Sequence, residues 1–147
     1  MNKISALDIS KYLVEKANKV DENDLTNLKL QKLLYIIQVK YLEKYGKGLF
    51  TDPIEAWQFG PVVRDVYNTF KSCGAFPITL VDVNFQSQDI PAETKKFVDN
   101  VWEEYAKFSS GYLVSLTHKA NSPWAKAYHS DNKIIDQELI LSSSVKI

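Results

Sequence analysis

The chain has 147 residues, 45% of them apolar and 24% charged, with 18 basic against 18 acidic side chains; this is the composition of one globular domain with one core, and it excludes a disordered chain. Zero net charge gives no global field toward nucleic acid or an anionic membrane, and seventeen lysines beside a single arginine, Arg64, are a poor set for reading phosphate with guanidinium forks. Cys73 stands alone, which excludes an intramolecular disulfide and a cysteine-built metal cluster within one chain.

The N-terminal stretch "MNKISALDISKYLVEK" has no apolar leader and no run is long enough to span a membrane, so a cytoplasmic location is expected. Ser5 followed by Asp8 reads as a capping box, and Ala6, Ile9, Leu13, Ala17 and Val20 recur at spacings of three or four. A first helix is predicted from Ala6 to about Lys19. After the polar "DENDL", Thr26 is the N-cap of a second helix, with Leu25 and Leu30 placed as a hydrophobic staple, and Gly46 is its stop.

Between those caps "NLKLQKLLYIIQVKYLEKY" is apolar around most of its circumference, which places this helix in the middle of the fold. Lys29, Lys32, Lys40, Lys44 and Lys47 fall in one sector roughly 120° wide, together with Leu33 and Ile36. That sector reads as a solvated face whose lysine stems cover apolar neighbours, or as a mixed apolar and basic surface for a partner.

"GKGLFTDP" is a loop, and "IEAWQF" alternates as a strand from Ile54 to Phe59. Gly60 breaks that strand, and Pro61 is predicted as the first residue of a helix carrying Val62, Val63, Val66, Tyr67 and Phe70. Strand, turn and helix would meet at one corner, filled by Trp57, Phe59, Tyr67 and Phe70. "ITLVDVNF" alternates as a second strand that would pair with the first.

Pro91 opens a third long helix with Phe97, Val98, Val101, Trp102 and Tyr105 on one face. "SSGYLVSLTHK" gives a short helix started by its serines and ending near His118, Ser122 and Pro123 start another, Asp136 caps a last one through Leu141, and the tail is expected to fray. The expected architecture is mainly α (α+β): one compact domain, residues 1–147, built around a central apolar helix with a two- or three-stranded β element.

Chemistry finds little support. His118 and His129 are the only histidines, neither lies in a nucleophile elbow or beside Cys73, no H-x-x-x-H spacing occurs, and the five glycines form no phosphate loop. No enzyme activity, metal or cofactor is expected. His118, next to a proline-started tryptophan turn, reads as a hydrogen-bond hub, and Trp124 as a core plug or an interface anchor.

Three blocks, "LTNLKLQKLLYIIQVKYLEKYGKGLF", "PIEAWQFGPVVRDVYNTFK" and "LTHKANSPWAKAY", agree in order and spacing with a known family: the chain resembles the Panacea domain of SocA-type antitoxins and phage-associated proteins. The blocks map to Lys32, Trp57, Gly60, Pro61, Val63, Tyr67, His118 and Trp124. Arg64-Asp65 departs from the family, where proline or serine is common after "GPVV". The resemblance implies a non-enzymatic antitoxin that neutralises a cognate protein toxin by direct contact, in some relatives as an adaptor for an ATP-dependent protease.

No DNA-reading extension is expected. A groove involving Lys32, Ile36, Trp57, Arg64 and Tyr67 is expected to meet the toxin. The alternative is a nucleic-acid-binding or phage regulatory module using the lysine stripe of the second helix.

Overall fold

Nineteen residues with scarcely a polar side form α2 (Asn27–Tyr45), the axis on which the rest of the chain packs. Thr26 caps it by accepting from the Lys29 N–H, and Gly46, at φ 74°, takes the left-handed turn that ends it. This is a computed structural model describing residues 3–80, 90–145 and 147.

Against α2 pack α1 (Ala6–Ala17), α3 (Arg64–Phe70), α4 (Ala92–Tyr105), α5 (Ser110–Thr117) and α7 (Gln137–Ser142), while α6 (Pro123–Tyr128) lies against the hairpin. The N-caps act as their sequences dictate. Ser5 and Asp8 form a reciprocal capping box, and Ser109, Ser122 and Asp136 accept from the backbone of Tyr112, Ala125 and Leu139. Helix α1 stops two residues short of the expected Lys19, because the Asn18 amide turns back to the Val14 carbonyl and across to that of Ile78.

The β element is a two-stranded antiparallel hairpin, β1 (Glu55–Trp57) and β2 (Gly60–Val62), with Ala56 opposite Pro61 and Trp57 opposite Gly60. Pro61 therefore does not begin a helix; it lies in β2, and α3 starts at Arg64 with Val63 as its N-cap and no side-chain cap. The preference of proline for a first helical position is local, and here hairpin pairing overrides it. Gly60, at φ 114°, is what lets the chain double back across a two-residue turn.

The other side of β1 is met by the chain near the C-terminus: the Ala56 N–H donates to the Lys133 carbonyl and the Ile135 N–H to that of Ile54, both at 2.8 Å. Of the expected second strand, residues 81–85 lie outside the described residues, and Ile78, Thr79 and Leu80 are not in a strand. The C-terminal tail is held rather than frayed at the points described. Ser143 is buried and donates to the Val145 carbonyl, and Lys119 donates to the Ile147 carbonyl.

The lysine sector of α2 is not a solvated face along its length. Lys29 and Lys32 are fully buried, with Leu33 and Ile36 between and beyond them, because α5 and β2 cover the N-terminal part of that side. Only Lys44 and Lys47 are exposed. Lys29 is paired with a surface carboxylate: its ammonium donates to both oxygens of the exposed Asp24 (2.9 and 2.8 Å) and to the Ala106 carbonyl. The corner is also incompletely filled, since Phe70 is buried and Trp57 and Tyr67 are half-buried, but Phe59 is 62% exposed.

Candidate partner-binding groove

Three polar side chains near the start of α2 hold the return strand and the start of α3 by their backbone. The Gln31 Oε1 accepts from the Val63 N–H at 2.9 Å, its Nε2 donates to Asn27 Oδ1, and Asn27 Nδ2 donates to the Tyr67 carbonyl. One residue on, Lys32 Nζ donates to the Pro61 carbonyl at 2.9 Å. Buried backbone groups need such partners, and a segment of Gly, Pro and two valines offers no side chain to supply them.

His118, which follows α5, and Trp124, in α6, hold the hairpin turn. Trp124 Nε1 donates to the Trp57 carbonyl at 2.7 Å, and His118 Nε2 lies 2.9 Å from the Gln58 carbonyl, to which it donates. The imidazole lies over the Trp124 ring with centroids 3.7 Å apart. The "TH" and "SPW" residues and the "AWQFGP" residues thus form one assembly, in which His118 is half-buried and Trp124 is buried.

Between α2, the hairpin, α3 and the 3-10 turn at Lys71–Cys73 opens a groove of about 470 Å³. Leu28, Lys32, Trp57, Phe59, Tyr67 and Lys71 contribute its chemistry. Trp57 and Tyr67 meet edge to face with centroids 4.9 Å apart. Leu28 and Phe59 are 40% and 62% exposed. A larger, more open depression of about 800 Å³ around Lys126 and Glu138 carries mixed charge and no aromatic lining, so it offers fewer anchors for a protein partner.

Arg64 lies beside the groove, its guanidinium bidentate on Glu55 (2.9 and 2.7 Å) and 5.4 Å from the Trp57 ring centre. Trp57 Nε1 donates to the same carboxylate. The Arg64 hydrogen bond holds the Glu55 carboxyl below its ordinary range. Burial alone lowers the Lys32 amine to about 7. The ion pairs among the described residues join Lys16 to Asp99, Lys29 to Asp24 and Arg64 to Glu55, and none includes Lys32.

Of the five residues expected to form a partner site, the fold brings Lys32, Trp57 and Tyr67 together at this groove and sets Arg64 beside it. Ile36 is a correction: it is fully buried one turn beyond Lys32 and presents nothing to a partner. Gly60, Pro61, Val63, His118 and Trp124 hold the hairpin. The groove adds Leu28 and Lys71, and it adds Phe59, which the sequence assigns to the filling of the corner and not to an exposed surface.

Among the described residues, no group of three or more His, Cys, Asp or Glu is placed to hold a metal ion, and no helix is long and apolar enough to cross a membrane. Burial of Lys29 and Lys32 removes two of the five lysines on which a nucleic-acid-binding face of α2 would depend.

The family described as antitoxin SocA-like, Panacea domain, matches residues 30–125, a span that contains most of α2, the hairpin, α3 and the His118–Trp124 connection. Antitoxin SocA of Caulobacter vibrioides (strain NA1000 / CB15N) is similar to this chain, with 26% identity over 132 residues, 82% of this chain and 69% of that protein. No solved structure matches significantly. With the family matched over more than half its length, and both the hairpin and the connection that grips it inside the matched span, the chain belongs to the SocA-like antitoxin family with a Panacea domain.

Proposed function

We propose that this protein is a cytoplasmic antitoxin that neutralises a protein toxin by direct contact, using the groove at the hairpin. Family membership supports the antitoxin role. The observation that carries the site is the exposure of Leu28 and Phe59 beside the Trp57–Tyr67 pair, on a hairpin held by Lys32, His118 and Trp124. Binding energy concentrates in a few aromatic and aliphatic anchors on a rigid frame. The proposed role is recognition, with no substrate turned over.

The test is co-expression with the protein encoded by the neighbouring open reading frame, which this reading requires to be the toxin. Native protein should restore growth, and Phe59→Asp should not, although its melting temperature stays within a degree or two of native because the side chain is exposed. Unchanged toxicity with native protein would overturn the antitoxin role, and full rescue by Phe59→Asp would overturn the groove. Toxin abundance separates two modes. Steady toxin with restored growth marks neutralisation by contact, and toxin that disappears only when an ATP-dependent protease is present marks an adaptor.

A further inference from the structure

The groove has an electrostatic sign that the chain as a whole lacks. Lys32 and Lys71 line it, and among the described residues no carboxylate does, in a chain whose 18 basic and 18 acidic side chains cancel. Lys71 is exposed at the rim. Lys32 is fully buried and, among the described residues, belongs to no ion pair and donates one hydrogen bond to a neutral acceptor, the Pro61 carbonyl. A lysine head group has three donors, and Lys29, buried a turn earlier on the same helix, fills its own with two carboxylate oxygens and a carbonyl.

The two buried lysines thus differ in what completes them: Asp24 is the counter-charge of Lys29, and among the described residues there is none for Lys32. The opening beside Lys32 is walled by Leu28, Phe59 and the Trp57–Tyr67 pair. Arg64 adds no free charge, since Glu55 already holds it. In its protonated form Lys32 attracts a carboxylate through surroundings that screen less than water, a gain set against the cost of desolvating that carboxylate. Apolar walls favour a segment that brings apolar side chains with it.

We propose that the groove takes a short apolar segment of the partner protein that carries a carboxylate, which enters the field of Lys32 and Lys71 while its apolar neighbours cover Leu28, Phe59, Trp57 and Tyr67. That the partner is a toxin rests on the antitoxin reading; the chemistry of the segment does not. Such an occupant supplies the counter-charge missing from Lys32 and removes the exposed apolar surface in one step. A basic segment would meet two like charges.

The experiment is selection from a display library of random short peptides near neutral pH, against the full chain, Phe59→Asp, and the double variant Lys32→Met with Lys71→Ala, each first checked for native circular dichroism. Peptides selected on the native chain should carry Asp or Glu flanked by Leu, Ile, Phe or Trp. Their enrichment should fall at least about tenfold on Phe59→Asp. On the double variant the apolar preference should persist and the acidic one vanish. Where that variant does not fold, Lys71→Glu alone should reduce the acidic preference.

Peptides without acidic preference, basic peptides, an acidic preference that survives in the lysine variants, or no enrichment at all would each overturn the proposal. So would a random single-stranded oligonucleotide that binds the native chain and not Phe59→Asp, since it would make the groove a nucleic-acid site. Failure of the selection beside successful neutralisation in co-expression removes the acidic segment and leaves the antitoxin reading in place.

Discussion

The Lys32 amine, buried on α2, reaches 2.9 Å to the carbonyl oxygen of Pro61 on β2 and has no carboxylate partner among the described residues. Burial lowers its pKa to about 7, against about 10.4 in an unfolded chain. Between those values the unfolded chain binds the extra proton, so stability rises with pH. The gain is complete above the unfolded value, is lost as pH falls toward about 7, and changes no further below. Its slope is at most about 1.4 kcal/mol per pH unit. Urea unfolding at pH 7 and pH 9 should therefore show native protein gaining more stability than Lys32→Met. Equal gains in the two proteins would assign the pH dependence to other groups.

Gly60 turns the hairpin under that lysine. At φ 114° any L side chain is strained, and an added Cβ would lie 2.8 Å from Lys32 Cε. The lysine has little room to yield, being buried and bonded to the next carbonyl. Gly60→Ala should cost about 1–3 kcal/mol from the backbone alone, with a further loss where Lys32 is displaced. Chemical denaturation checks the cost, and a change under 0.5 kcal/mol would mean that the hairpin relaxes.

Helix boundaries set by local hydrogen bonds were legible. Thr26 and Gly46 around α2, and Ser109, Ser122 and Asp136 before α5, α6 and α7, each satisfy orphan backbone groups within a few residues. What depends on distant partners was not. Pro61 carries a helix-start signal, yet its place in β2 is fixed by Ala56 opposite it and by Lys32, 29 positions earlier in the sequence.

The helical geometry of α2 places its lysines on one side but does not tell that α5 and β2 cover part of that side. Hence periodicity alone assigns Lys29, Lys32 and Ile36 to the surface, whereas they are core. Trp57 and Tyr67 were legible as neighbours because a sharp turn separates them by only ten positions. Phe59 was read as filler, and hairpin register exposes it instead.

His118 and Trp124 should act as one clamp on the hairpin turn. Trp124→Phe keeps most of the ring packing and removes the Nε1 donor to the Trp57 carbonyl, a loss of about 1–3 kcal/mol for a buried acceptor left unpaired. His118→Ala removes the donor to Gln58 and the ring over Trp124. Because the rings touch, the double variant should be less destabilised than the sum of the singles, with coupling of about 0.5–3 kcal/mol. Additive losses would mean that the two residues hold the turn independently.

Arg64 and Ile36 separate a role in binding from a role in the scaffold. Arg64 is exposed, pairs with Glu55, and lies over the Trp57 ring beside the groove. Arg64→Glu sets two carboxylates where one ion pair stood and adds negative charge next to a groove whose cations are proposed to attract an acidic segment. Its melting temperature should fall by a few degrees at most, since Arg64 is exposed although Glu55 is largely covered, while toxin affinity falls by a larger factor than that loss explains. Ile36→Val removes one methylene from the core, at a cost of about 0.5–1.5 kcal/mol, and should leave affinity unchanged because Ile36 is fully buried. Calorimetry for binding and thermal melts for stability, run on both variants, read the contrast. Undiminished affinity in Arg64→Glu would place the contact away from this side of the hairpin, and weakened affinity in Ile36→Val would mean that the core beneath the groove is tuned for binding.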